Sequence, residues 1–335
     1  MFGLFDGKLF YGTDPAISGF NPNCDWFAEA KYGAFVHYLA YRVNDPERPH
    51  SFGKHTDWDT CVNEFDTEKF AEDMAAAGVG YVIFTLQQCD GYICVPNATY
   101  DELLGLKPGE RCATRDLVDD LIESLNKRGI PLMLYFTADG MWREPDKMTK
   151  LCEAEFPTNP AEFKAHHWTA QFKRKWFSVA REWSLRYGKR IKGWWIDGAD
   201  ATKGFSDAEL MVYRENLRVG NPDTIVTFNP GDENLEPWRY SIADDYTAGE
   251  SGGFDDYPGG RWWEGAQWHL ISYTHRLLPK CAEEGSNAGE VLAEYVKTVA
   301  EKQGVVSIDL SVYRDGSVFP EELEVVKKVK EVVRG

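Results

Sequence analysis

Short apolar runs of strand type recur along the chain, at residues 33–38 (GAFVHY), 81–86 (YVIFTL), 132–137 (LMLYFT), 193–197 (GWWID), 224–229 (TIVTFN), 240–246 (YSIADDY), 268–273 (WHLISY) and 305–311 (VVSIDLS). Between many of them the apolar positions recur with the period of an amphipathic helix, over 67–77, 114–128, 169–187, 207–219, 289–303 and 320–333. Strand followed by helix, repeated, implies parallel strands, because each helix carries the chain back to the end of the sheet from which it left. Glycines close several helices before the next strand, as in AAAGVGYVIF, NKRGIPLML and EKQGVVSI. The rhythm predicts an α/β fold, a (β/α)8 TIM barrel, as one domain over residues 1–335. Its fifth and sixth units read as degenerate, since little helical pattern fits between Asn229 and Tyr240 or between Tyr246 and Trp268. A doubly wound open sheet is the alternative, but no GxGxxG follows a strand and no GxxxxGK[ST] occurs.

Charge narrows the partners. With 37 Lys+Arg against 54 Asp+Glu the net charge is −17, and no basic block offers the cationic surface that nucleic acid or anionic membrane requires. A small neutral substrate fits this balance. The seven cysteines are odd in number and show no zinc-like spacing, and His166 and His167 are adjacent rather than a helical turn apart, so neither a metal nor a cofactor is expected. Free thiols, an N-terminus without signal-peptide character and the lack of a long apolar span point to a cytoplasmic protein. The sequence carries no signature of an oligomeric state.

In a barrel the chemistry sits where strands end. The strand-end residues are acidic and polar: His37, Gln87, Gln88, Cys89, Asp90, Tyr135, Asp139, Trp195, Asp197, Asn229, Asp244, Asp245, Glu250, Glu264 and Asp309. Asp197 stands out, because GWWIDGAD places a carboxylate at the close of a strand that is otherwise apolar. Its plainer role would be to cap the following turn. Glu250, in DDYTAGESGG, would lie on the same rim, and two facing carboxylates are what glycoside hydrolysis uses. Glu264, in RWWEGAQWH, competes for the acid role. His37 could address sugar hydroxyls or be a satisfied core histidine. Trp58 and Trp195 belong to a set of tryptophans that could stack on a sugar or simply pack, and Cys89 raises the question of a thiol nucleophile.

The order of these motifs resembles the catalytic barrel of glycoside hydrolase family 29, the α-L-fucosidases. WFAEAKYGAFVHYLAYRV is similar to the family's opening strand, TDWDTCVNEFDTEKFAEDMAAAGVGYVIFTLQQCDGY to the stretch that ends T-K-H-H-D-G-F, and GWWIDGAD to the strand that ends W-x-D. DYTAGE resembles the T-x-E segment, RWWEGAQWH a K-W-E segment, and VVSIDLSVYRDG the N-L-L-L-N-I-G-P-x-x-D-G close of the barrel. The resemblance implies Asp197 as nucleophile, Glu250 or Glu264 as acid/base, and His37 and Trp195 in the sugar pocket; Trp58, Gln88, Cys89 and Tyr135 are further substrate-binding candidates. Departures accompany it. Gln88 and Cys89 stand where the family has two adjacent histidines, Asp57 replaces a glutamate, the arginine expected after the fifth strand is missing from TFNPGDEN, and no C-terminal β-sandwich follows within these residues. The expected activity is an exo-glycosidase with a retaining two-carboxylate mechanism, acting on a terminal sugar that need not be fucose. A catalytically silent sugar-binding barrel, or a lyase or isomerase on the same fold, are the alternatives.

Overall fold

The computed structural model describes residues 4–5, 8–9, 19–159, 162, 167–231 and 238–335. Seven strands form the main sheet: β1 (Tyr32–Val36), β2 (Val82–Thr85), β3 (Leu132–Thr137), β4 (Ile191–Asp197), β5 (Ile225–Phe228), β6 (His269–Tyr273) and β7 (Val305–Leu310). They lie in the order β6-β7-β1-β2-β3-β4-β5, and every neighbouring pair is parallel. The helices that return the chain include α1 (Thr67–Ala77), α2 (Leu117–Asn126), α3 (Ala170–Tyr187), α4 (Asp207–Arg218), α5 (Thr274–Glu284), α6 (Ala288–Glu301) and α7 (Pro320–Val333). The result is a curled, barrel-like parallel sheet wrapped by helices.

Helix starts follow local capping chemistry. Asp66 accepts from the amide of Lys69 at the head of α1, and Ser206 with Glu209 forms a reciprocal capping box on α4. α2 begins at Leu117, later than the periodicity suggests, because Asp116 takes the amide of Asp119 while Thr114 is held by Asp59. α5 has no counterpart in the sequence expectations, and Pro279 within it masks the helical pattern.

The run 240–246 is not a strand of the sheet. Between the edge strands β5 and β6 lies an irregular segment, Ser241–Glu250, bonded to both. Asp245 N–H donates to the Val226 carbonyl (2.8 Å), Thr247 N–H to that of Gln267 (3.0 Å), and the Ile271 amide donates to Gly249 (2.8 Å). Side chains replace the missing ladder: Asp244 Oδ1 accepts from the Phe228 amide (2.8 Å) and Asp245 Oδ2 from the Val226 amide (2.9 Å). Asp245 Oδ1 also accepts from Arg214 Nη2 (2.9 Å) and Asn21 Nδ2 (2.8 Å). Asp244 and Asp245, read from sequence as strand-end acids, are thus backbone substitutes that fix the approach to Glu250.

Strand parity sets two cores. Side chains alternate across a strand, and Phe35, Ile83, Met133, Tyr135, Trp195, Ile225 and Ile271 pack together inside the curl. Neighbours such as Val36, Phe84, Leu134, Trp194 and Phe228 pack outward against the helices. His37 and Asp197 continue the inward set at their strand ends.

Candidate active site

Register builds the site. Tyr135 on β3 pairs with Trp195 on β4, and Thr137 with Asp197. The Tyr135 and Trp195 rings stack at 5.2 Å and 15°, and Phe35 meets both edge-on. Trp195 Nε1 donates to the Ala248 carbonyl at 3.1 Å, tying this floor to the irregular segment. Above it lies a cavity of about 30 Å³ lined by His37, Gln88, Tyr135, Trp195, Asp197 and Glu250, among others.

Asp197 is held by three donors. Tyr135 Oη donates to Oδ2 (2.5 Å), while the Gly198 amide (2.9 Å) and Asn229 Nδ2 (2.8 Å) donate to Oδ1. The same Asn229 nitrogen donates to Glu250 Oε2, and Tyr273 Oη donates to Glu250 Oε1 at 3.2 Å. Two hydrogen bonds from one nitrogen leave those two carboxylate oxygens no more than about 6 Å apart. Asn229 appears among the strand-end residues in the sequence, but its bridging role needs the fold. Tyr273 is not singled out there, although it ends a strand run, because an aromatic at that place reads equally as packing.

His37 sits 3.2 Å from Thr85 Oγ1 through Nδ1 and 3.9 Å from Asp309 Oδ1 through Nε2. Burial lowers its pKa to about 4 against the opposing pull of Asp309, so the ring is neutral at pH 7 and able both to donate and to accept. Gln88 Oε1 accepts from Tyr41 Oη (2.9 Å). Cys89 lines the adjoining pocket of about 480 Å³, together with Gln88, Asp139, Asp197, Lys203 and Glu250. Burial pushes its thiol up to about 12, which keeps it protonated and argues against a thiolate nucleophile. Trp58 is buried, donates from Nε1 to the Ile93 carbonyl (2.8 Å), and lines a third cleft of about 920 Å³. That cleft shares Tyr41 and Arg143 with the 480 Å³ pocket, so the two spaces are neighbours.

Glu264 is placed elsewhere. It is exposed, with φ of 49°, at the turn of a hairpin between Trp262–Trp263 and Ala266–Gln267. This hairpin feeds the start of β6, and Arg261 just before it pairs with Asp25, ahead of β1. It therefore lies at the end of the sheet opposite Asp197. Of the chain between Thr247 and Gln267, only the first residues, up to Glu250, reach the rim that carries Asp197. His166 lies outside the described residues. Among the described residues no cluster of three or more His, Cys, Asp or Glu could hold a metal ion, and no helix is long and apolar enough to cross a membrane.

The family model described as alpha-L-fucosidase matches residues 15–333. The chain belongs to the alpha-L-fucosidase family. Solved fucosidases share its fold at low sequence identity. Isoenzyme 1 from Paenibacillus thiaminolyticus superposes with a TM-score of 0.66 at 18% identity, covering 93% of this chain and 75% of its own. The fucosidase AlfC from Lactobacillus casei, in complex with α-L-fucose product, gives 0.61 at 17%, covering 94% and 98%. A Bacteroides thetaiotaomicron fucosidase trapped as a covalent intermediate gives 0.61 at 18%, covering 92% and 74%. No curated protein matches the sequence.

One expected effect arises from the buried histidines. His269 lies beneath the site, with Nδ1 2.8 Å from the Thr247 carbonyl and Nε2 2.8 Å from Ser307 Oγ, and burial lowers its pKa to about 4. The unfolded chain protonates this histidine near pH 6.5, so between pH 6.5 and 4 the unfolded state binds the extra proton and stability falls as pH falls. Asp244, raised to about 7 by burial, acts in the opposite sense, so the whole-protein curve mixes both. The difference between wild type and His269→Gln isolates the histidine. The variant is less stable at pH 7, and the gap should narrow by about 1.4 kcal/mol per pH unit between 6 and 4.5 in urea titrations. A constant gap would mean that His269 is not held neutral.

Proposed function

We propose that this protein is a retaining exo-glycosidase of the α-L-fucosidase type, with residues 1–335 acting as one catalytic domain on the terminal sugar of a small neutral carbohydrate. The observation that carries this reading is the Asn229 bridge, which keeps one oxygen of Asp197 within about 6 Å of one oxygen of Glu250. Retaining enzymes hold their carboxyl groups about 5 to 5.5 Å apart and inverting ones about 6.5 to 9.5 Å, so the spacing favours retention. The covalent intermediate trapped in the Bacteroides relative supports the same course.

In this mechanism an Asp197 oxygen attacks the anomeric carbon and forms a glycosyl ester. The bond to the leaving oxygen breaks as Glu250 gives that oxygen a proton. Glu250 then takes a proton from water, whose oxygen displaces Asp197 and releases the sugar. Tyr135, Gly198 N–H and Asn229 hold the attacking carboxylate in place. His37 and Gln88 would address sugar hydroxyls, with Trp195 as the apolar wall. Because Gln88 and Cys89 replace the family's histidine pair, the sugar is not fixed as fucose.

The test is a panel of aryl α- and β-glycosides of fucose, galactose, rhamnose and arabinose, with product stereochemistry followed by NMR. Cleavage of at least one member with net retention is expected; an inverted first product would overturn the mechanism. The same Gln88–Cys89 replacement favours a second reading, a silent sugar-binding barrel. That reading predicts affinity for a panel sugar without turnover.

A further inference from the structure

One carboxyl in the pocket has no part in the mechanism above. The chain leaves β3 at Thr137, and the Ala138 amide donates to the Asp197 carbonyl (2.6 Å), which sets Asp139 directly beside β4's end. Asp139 is 9% exposed and lines the 480 Å³ pocket together with Asp197 and Glu250. Its carboxyl lies over Gly198, where an added Cβ would come within 2.3 Å of Asp139 Cγ. Gly198, with φ of 69°, is thus both a turn residue and the space that Asp139 occupies.

We propose that Asp139 contacts the substrate directly, hydrogen-bonding an oxygen of the bound sugar at the pocket wall beside Asp197.

The surroundings define how it would do so. Its own backbone amide reaches the carboxyl. Asp197 is engaged by three donors and Glu250 by Asn229 and Tyr273, whereas Asp139 lines the open pocket with its carboxyl. Its charged neighbours are Asp197 and Asp200, which disfavour its ionisation, and Lys203, which favours it; Tyr135, Tyr213 and Cys89 complete the surroundings as neutral groups. Burial, with the Asp197 charge beside it, raises the carboxyl well above the usual carboxylate range and so favours its protonated form, which is a donor.

This inference rests on the glycosidase reading, and its test separates the two. On whichever panel glycoside wild type cleaves, Asp139→Asn, which keeps a neutral donor of the same size, should hold kcat/KM within about 5-fold, whereas Asp139→Ala should lose about 10- to 100-fold. Asp139→Ser serves as a second truncation if the alanine variant folds poorly. In wild type, ionisation of Asp139 at high pH removes the donor, so kcat/KM should fall on the alkaline side, and Asp139→Asn should lack that limb. Calorimetric affinity for the corresponding free sugar should drop with Asp139→Ala and persist with Asp139→Asn. Wild-type behaviour in the truncated variant, or an asparagine variant as impaired as alanine with the alkaline limb intact, would overturn the proposal. If wild type binds a sugar but cleaves nothing, the glycosidase reading falls while the affinity comparison still decides the role of Asp139. A wild type that binds none of the panel sugars overturns both.

Discussion

Asp197→Asn is expected to lower kcat on the best aryl glycoside by about 10⁴-fold or more, since removing a covalent nucleophile leaves only binding and the remaining polar groups. The loss has a structural component as well. All three partners of this carboxylate are donors: Tyr135 Oη, the Gly198 amide and Asn229 Nδ2. An amide placed here must turn its NH2 toward one of them. The tyrosine hydroxyl can rotate to accept, which limits the local penalty to about 1–3 kcal/mol. The variant should therefore fold and bind sugar while failing to turn it over. Asp197→Gly with added azide provides the complementary arm, because the small anion can enter the vacated space and attack in place of the carboxylate. It should restore turnover and yield a glycosyl azide of inverted configuration. An Asp197→Asn protein with more than a tenth of wild-type kcat would remove Asp197 from the nucleophile's role.

The second large effect concerns the irregular segment that delivers Glu250. Arg214 on α4 is fully buried, and its Nη2 meets Asp245 Oδ1 at 2.9 Å with both side chains excluded from solvent. Arg214→Met keeps the volume but strands a buried carboxylate, a change that destabilises by about 3–5 kcal/mol in comparable pairs. The double variant Arg214→Met with Asp245→Asn should recover part of that loss, because the remaining partners, the Val226 amide and Asn21, can still bond the neutral amide. Urea unfolding of the two single variants and the double variant measures the coupling directly. Activity of Arg214→Met should also fall in conditions where the protein is still folded, since the segment from Asp245 to Glu250 has no regular ladder of its own. Single-variant losses below about 1 kcal/mol would mean that the ion pair is not what holds the segment.

Most of the sheet was legible because period and parity are local. LMLYFT reads as a strand and is one, GWWID lies wholly within β4, and the helices 67–77 and 320–333 have the bounds their apolar spacing implies. The misread run, 240–246, has strand-like composition, yet its acids bond amides of β5 across the chain, and no local pattern distinguishes a carboxylate that substitutes for a ladder from one at a strand end. Glu264 fails for a related reason. RWWEGAQWH looks like a pocket motif, but whether the chain after Glu250 stays on one rim or crosses to the other depends on contacts such as Arg261 with Asp25, far apart in sequence.

The same division runs through the site. Sequence by itself determined the strand–helix rhythm, the acidic and polar character of the strand ends and the family to which their order belongs, because each is carried by neighbouring residues or by their succession. Only the tertiary structure decided which ends meet. Asn229 couples Asp197 to Glu250, Tyr273 holds Glu250, and Asp139 rests against the bare backbone of Gly198. These relations join residues tens of positions apart, and they exist because strand register and the curl of the sheet bring the ends of different strands around one small cavity.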